Sequence, residues 1–339
     1  MHPVRELIIR RALQKSLPGK RTDGFKLGLA IEGGGMRGVI SGGMVTGLHH
    51  LELQNVFDVV YGSSAGAING AFFLSGQTPF GTTIYYEEIN NSQFVDIRRW
   101  FSKTPVMSLE FLLDHVMTHE RVLDWHALLS QPVPLRILAT SVSKLRAEVL
   151  GDFESRDELW EAMRASARIP VIAGPPVPFR DDVYLDATLY ESIPYRSAIA
   201  EGCTHVLVLR TRAEGVRLHK TSLFSKYIVA GQLSQLNPGL RSAVFDRPTW
   251  YDADCDLLES ATNSPQIEGS QLMCVYPPPT LRPVGRMETD RETLVSGASE
   301  GAAAAVQALT GVLPDAVEVI QPFVKGWPLT DPWVGENVE

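Results

Sequence analysis

Gly62-Ser63-Ser64-Ala65-Gly66 sets a serine between glycines at G-x-S-x-G spacing. A strand-like run, Phe57–Tyr61, precedes it and a helix-like run, Ala65–Leu74, follows. A serine on so sharp a strand-to-helix turn projects its Oγ clear of the sheet, and the flanking glycines Gly62 and Gly66 let neighbouring backbone pass. The helix N-terminus behind it adds unpaired N–H groups and a positive dipole end. The chemistry this suits is nucleophilic attack by Ser64 on an acyl carbon. Acyl transfer also needs donors where the carbonyl oxygen turns negative. The stretch "LGLAIEGGGMRGVISGG" (Leu27–Gly43) offers them at Gly33, Gly34 and Gly35, with Arg37 opening the next helix. Loops leaving the carboxyl ends of adjacent parallel strands lie side by side, so the Gly34/Gly35 turn and the Ser64 turn are expected to face each other.

A competing chemistry is nucleotide binding, because Gly33-x-Gly35-x-x-Gly38 also fits G-x-G-x-x-G between a strand and a helix. That reading needs an acid closing the second strand to hold a ribose. Glu52 falls in the helical run, Asp58 opens the second strand, and that strand ends in Gly62-Ser63-Ser64. A P-loop is excluded, since no Gly-Lys-Ser/Thr follows. A serine nucleophile requires a base. The acid that stands out is Asp186, at the end of a short strand in "VYLDATLYESIPY", where catalytic side chains of parallel sheets collect. Among the histidines, His205 and His219 alone follow it in Ser…Asp…His order, and His205 begins an apolar run that suits a structural role.

Together "EGGGMRG" (Glu32–Gly38), "GSSAG" (Gly62–Gly66), "ASARIP" (Ala165–Pro170) and Asp186 resemble the patatin-like phospholipase family, in its order and spacing. The resemblance covers roughly Lys26 to Arg212. It implies a Ser–Asp dyad without catalytic histidine: Ser64 as nucleophile, Asp186 as base, and Gly33, Gly34, Gly35 and Arg37 in the oxyanion loop. It implies a lipid acyl hydrolase acting on carboxylic esters through an acyl-enzyme, with no metal and no cofactor. One departure stands out: the family places Gly after the aspartate, and this chain has Ala187. If Gly serves a positive φ there, Ala187 costs roughly 1–2 kcal/mol or shifts the backbone. The alternatives are a catalytically weak lipid-binding or regulatory module on the same fold, an esterase on small soluble esters, and a nucleotide-binding protein using Gly33–Gly38.

Positioning these groups calls for strand–turn–helix units in succession, hence parallel strands with crossover helices. The expected class is α/β: three layers around a mainly parallel sheet, patatin-like, with additional C-terminal helices. Residues 25–212 form the catalytic core and 213–312 a mostly helical continuation, with an irregular tail at 313–339. Strands are expected over Lys26–Ile31, "PLRILATSV", "RAEVLGDF", "DVYLDA", "HVLVLRT" and Gln271–Tyr276. Helices are expected over Val39–Leu53, across much of Thr82–Ser130, and over Ser155–Ala167, Ser222–Leu233, Leu240–Ala261 and Thr289–Leu309. Pro170–Pro178 reads as a loop.

The 339 residues carry net charge −8, which argues against a general nucleic-acid binder. Three scattered cysteines suit a reducing compartment, and the absence of a long apolar run or signal-like start points to a cytoplasmic protein. The basic N-terminal segment, residues 1–24, is the exception: up to residue 21, Arg5, Arg10, Arg11, Lys15, Lys20 and Arg21 face one acid, Glu6. Leu7, Ile8, Leu13 and Leu17 share part of a helix face there. This segment is either a terminal helix with a solvated basic side or, through residues 1–21, a peripheral contact with anionic lipid.

Overall fold

The computed structural model describes residues 1–102, 104–218, 223–261 and 266–314. Its strands are β1 (Leu27–Ile31), β2 (Val59–Ser63), β3 (Leu135–Ser141), β4 (Arg146–Leu150), β5 (Val177–Phe179), β6 (Asp182–Asp186), β7 (His205–Leu209), β8 (Gln266–Ile267) and β9 (Ser270–Val275). The helices are α1 (Pro3–Leu13), α2 (Gly38–His50), α3 (Ala65–Leu74), α4 (Thr78–Thr83), α5 (Trp125–Leu129), α6 (Arg156–Ala167), α7 (Tyr195–Ala200), α8 (Leu223–Leu236), α9 (Leu240–Ser260) and α10 (Arg291–Thr310). The strands join in one sheet of order β5-β6-β3-β2-β1-β7-β9-β8, with β4 also paired to β3. Strands β3, β2, β1, β7 and β9 run parallel, while β4, β5, β6 and β8 pair antiparallel.

Alternation along each strand feeds two cores. Leu27, Leu29, Ile31, Val60, Leu207 and Leu209 point into one, with apolar side chains of α1, α2, α3, α6 and α10. Ala30, Val59, Tyr61, Val206 and Val208 point into the other, against Tyr195 and Ala198 of α7 and Tyr251, Cys255 and Leu258 of α9. With helices on both faces, the central strands are buried throughout, which is why they read as unbroken apolar runs. This is the three-layer, mainly parallel architecture expected from the sequence.

Two elements differ from expectation. Within Thr82–Ser130, where helix was expected, the chain forms two π-helical stretches, Ile84–Glu88 and Phe111–Glu120, besides the α-helix α5. The proline-rich run 170–178 is a loop only up to its end, where Val177–Phe179 pairs with β6 as β5; Pro178 sits where the sheet ends, as prolines in sheets do. The tail beyond residue 314 and His219 lie outside the described residues.

The basic N-terminal segment is docked on the body. Val4, Leu7 and Ile8 are buried, whereas Leu13 and Leu17 are exposed. Arg11 is wholly buried and ties Asp23 (2.8 Å), Asp58 (2.8 Å) and the carbonyls of Val56 and Phe25. Arg21 also pairs with Asp58, and Arg5 donates to the Leu309 carbonyl at 2.8 Å.

Candidate active site

Ser64 sits between β2 and α3 with φ 56° and ψ −126°, a sparsely populated region for a residue with a side chain. The flanking glycines make this turn possible by sterics. A Cβ on Gly62 would overlap the Ala67 backbone, and one on Gly66 would overlap the Ile31 carbonyl. Ser64 N–H donates to Ser166 Oγ at 2.8 Å, so α6 fixes the turn from a third element.

The preceding loop is brought to Ser64 by sheet register. Ile31 of β1 is opposite Gly62 of β2, so Gly33 and Ser64 each stand two residues beyond that pair. A Cβ on Gly33 would lie 2.9 Å from Ser64 Cβ and overlap the Ser63 carbonyl, so only glycine lets the two turns meet. Gly34 and Gly35 have φ 154° and 62°, which turns their backbone in ways a side chain resists. Arg37 lies beside Gly34 and donates from Nε to Thr211 Oγ1 at 3.2 Å, and Thr211 Oγ1 donates to the Gly33 carbonyl at 3.1 Å.

Asp186 reaches the same place from an unexpected direction. Strand β4 holds one edge of β3 along Ile137–Ser141, so β2 and β6 must share the other edge. Ser63 pairs with Leu138, and Asp186 pairs with Ala139, the next residue. The carboxyl ends of β2 and β6 therefore confront each other along one edge, about one residue rise (~3.3 Å) apart. Asp186 does end its strand, but that strand is antiparallel to β3, which corrects the expectation of a parallel strand end. The carboxylate is fully buried, Oδ1 accepts from Thr188 N–H at 2.8 Å, and Oδ2 has no partner among the described residues.

Ala187 opens a short 3-10 turn, Ala187–Leu189, and is not among the residues of positive φ. The strain expected from the missing glycine is therefore absent. His205 pairs with Leu27 at the amino end of β1, four residues before the Ile31–Leu209 pair, so it lies at the opposite end of the strands from Ser64. Its Nδ1 is 3.0 Å from Thr204 Oγ1, and its ring packs edge-on against Phe25. Asp58, which opens the second strand, is also at that far end, accepting from Leu27 N–H at 2.7 Å.

Sequence reasoning quoted Glu32 without giving it a task. It is buried beneath the glycine loop and accepts from Arg210 Nε (3.0 Å), Thr211 N–H (2.8 Å) and Tyr251 Oη (2.6 Å). Burial alone would raise its pKa, but the Arg210 and Arg37 guanidiniums and these hydrogen bonds hold it below the usual range. Its partners lie up to 219 residues away in sequence, so no local pattern could have disclosed them.

An apolar slot ends at Ser64. Gly35, Ala65, Ile68, Tyr85, Phe94, Met107, Leu112 and Ile169 are among its lining residues, and it encloses ≈ 470 Å³ with the open solvent at its mouth. Both π-helical stretches contribute to its wall, through Ile84, Tyr85 and Leu112; such stretches recur at functional sites. Among the described residues no cluster of His, Cys, Asp and Glu could hold a metal ion, and no helix is long and apolar enough to cross a membrane.

The family model of patatin-like phospholipases matches residues 29–199. The chain is 24% identical over 193 residues to the uncharacterized protein YjjU of Escherichia coli (strain K12), covering 55% of this chain and 52% of that one. It is 22% identical over 256 residues to a probable lipid hydrolase, 463L, of Invertebrate iridescent virus 6, covering 66% of this chain and 84% of that one. The chain thus spans about half the length of YjjU. Among solved structures, VipD from Legionella pneumophila aligns at TM-score 0.39 and 11% identity, over 88% of this chain and 67% of that one. The family match takes in the glycine loop, the Ser64 turn and Asp186 across half of the chain, and the chain belongs to the patatin-like phospholipase family.

Proposed function

We propose that the protein is a lipid acyl hydrolase, of phospholipase A or esterase type, with Ser64 and Asp186 as its catalytic pair. The observation that carries this reading is the shared edge of β3, which sets the Ser64 turn against Asp186, whose Oδ2 has no partner among the described residues. Asp186 takes the proton of Ser64 Oγ as Oγ bonds to the ester carbonyl carbon. The carbonyl oxygen becomes negative and is held by backbone N–H groups of the Gly33–Gly35 loop. The bond to the leaving oxygen then breaks, and that oxygen takes the proton from Asp186, leaving an acyl group on Ser64. Asp186 next deprotonates a water, whose oxygen attacks the acyl carbon; Ser64 recovers its proton and the fatty acid leaves.

The slot supports a lipid substrate, because a wall of Ile, Phe, Met and Leu side chains stabilises an acyl chain by about 0.8 kcal/mol per buried methylene. The substrate partner is therefore a lipid or acyl ester. The test is intact-mass analysis after mixing with a p-nitrophenyl acyl ester. A transient mass gain equal to the acyl group, mapped to the peptide carrying Ser64, is expected. An acyl group mapped to another residue, or turnover with Ser64→Ala at the wild-type rate, rejects the reading.

A further inference from the structure

Gly33 has a neighbour on each flank. Ile31 of β1 is opposite Gly62 of β2 on one side and opposite Leu209 of β7 on the other. Two residues further on, Gly33 therefore stands between Ser64 and Thr211. Thr211 is buried, and Glu32 holds its backbone by accepting from Thr211 N–H at 2.8 Å. The Thr211 hydroxyl makes two bonds, accepting from Arg37 Nε at 3.2 Å and donating to the Gly33 carbonyl at 3.1 Å. The direction of both is forced. An arginine Nε can only donate, so the one hydroxyl hydrogen of Thr211 is left for the carbonyl.

The peptide joining Gly33 to Gly34 is trans, so its C=O and N–H point to opposite sides of one rigid plane. The carbonyl is drawn to Thr211 on the β7 flank. The Gly34 N–H is thereby turned to the β2 flank, where Ser64 stands. Among the described residues, that N–H donates to no backbone carbonyl. A peptide between two glycines is also the one most free to rotate, since no Cβ restricts the torsions on either side of it. Turned over, it would present a carbonyl oxygen to the site, and so a negative partial charge to an oxyanion. The bond from Thr211 opposes that rotation.

We propose that Thr211 is a positioning residue for the oxyanion site: its hydroxyl, oriented by Arg37, keeps Gly34 N–H aimed at the substrate carbonyl oxygen. This rests on the acyl hydrolase reading above. Thr211 touches no reacting atom and acts through the Gly33–Gly34 peptide. It lies beyond residues 29–199, the span that the family model matches. A preformed oxyanion donor is worth roughly 10²–10³ in kcat, and a donor that is present but loosely aimed loses part of that.

The test uses the full-length protein, a p-nitrophenyl acyl ester and two comparisons in which the hydroxyl is the main difference. Wild type is set against Thr211→Val, and Thr211→Ser against Thr211→Ala; the second pair decides if the valine variant does not fold. In Thr211→Val and Thr211→Ala, kcat is expected to fall roughly ten- to a hundredfold with KM within about threefold, because the contact is used only when the oxygen is charged. Thr211→Ser, which keeps the hydroxyl, should hold kcat within about threefold of wild type. An alkyl trifluoromethyl ketone gives a second readout. Its carbonyl carbon bonds to Ser64 Oγ, the Oγ proton passes to Asp186, and its oxygen becomes negative. Its affinity should fall in each variant by the same factor as kcat/KM. Values of kcat that agree within about twofold across each pair, or a change confined to KM, overturn the proposal. So does a loss in Thr211→Ser as large as that in Thr211→Ala, which would assign the effect to the methyl group. A wild type that hydrolyses the ester no faster than Ser64→Ala rejects the hydrolase reading itself, and the role of Thr211 with it.

Discussion

Ser64 adopts φ 56° and ψ −126°, a conformation that costs of order 1–3 kcal/mol and persists only where its surroundings impose it. Here the imposition comes from close backbone contacts at Gly33, Gly62 and Gly66 and from the Ser166 hydroxyl. These residues were legible in the sequence because the motif that encodes them is local: five consecutive residues and one glycine loop. Glu32 was not, since it is held by partners distant in sequence. Ala187 shows the reverse failure, where a departure from the family pattern suggested strain that the backbone does not have. Accordingly, Ala187→Gly is expected to leave kcat/KM within about threefold of wild type. It should lower stability by roughly 1 kcal/mol, since it loosens the unfolded chain and removes a buried methyl. A steady-state assay and a urea melt check both; a large gain in activity would show that the alanine does distort Asp186.

At the scale of elements, α3 falls on Ala65–Leu74 as expected, and Ser155 caps α6, accepting from Glu158 N–H at 3.2 Å. The direction of β6 was not readable, because a strand of five residues reads alike whether its neighbour runs parallel or antiparallel. That direction is what sets Asp186 end-on to β2. The segment after β6 is tied to the Ser64 turn as well: Ser63 Oγ donates to the Glu191 carbonyl at 3.4 Å. The Glu191 carboxyl accepts from Ser197 N–H (2.9 Å) and Ser197 Oγ (2.7 Å), yet burial pushes it up to about 7. Its pKa in the unfolded chain is near 4.3. The folded state thus binds the proton more tightly, and stability is full below about pH 4.3 and falls until about pH 7. Urea melts at pH 5 and pH 8 should show Glu191→Gln losing about 2 kcal/mol less than wild type across that interval. Equal losses would mean that Glu191 titrates normally.

Across the whole molecule, the C-terminal continuation is structural to the site and not an appendage. Helix α10 packs on α2, the helix that follows the glycine loop, at a spacing that only small residues allow. Gly301 meets the Ile40 carbonyl, and Gly43 meets that of Ala298. Helix α9 supplies Tyr251 to Glu32 and Arg247 to the Thr188 carbonyl. Gly301→Ala should therefore destabilise by about 1–3 kcal/mol through overpacking. Gly231→Ala, in α8 with open space around it, should stabilise by roughly 0.5–1 kcal/mol. Thermal melts of the two variants shifting in the same direction would contradict this packing account. The apolar pattern weakens beyond Arg212, so helices could be placed over Ser222–Leu233, Leu240–Ala261 and Thr289–Leu309 but not which of them touch the site. The N-terminal segment offered the opposite lesson: its basic residues read as a solvated face or a lipid contact, and Arg5, Arg11 and Arg21 are bonded to the body.

The central claim is that Ser64 is the nucleophile and that Asp186, without a histidine, is its base. Labelling by a fluorophosphonate probe tests it most directly, in wild type, Ser64→Ala, Asp186→Asn and His205→Ala. The account predicts labelling of wild type and His205→Ala at similar rates, none in Ser64→Ala, and a rate lowered roughly 10²–10⁴-fold in Asp186→Asn. Labelling that survives in Ser64→Ala, or disappears in a folded His205→Ala, would contradict it.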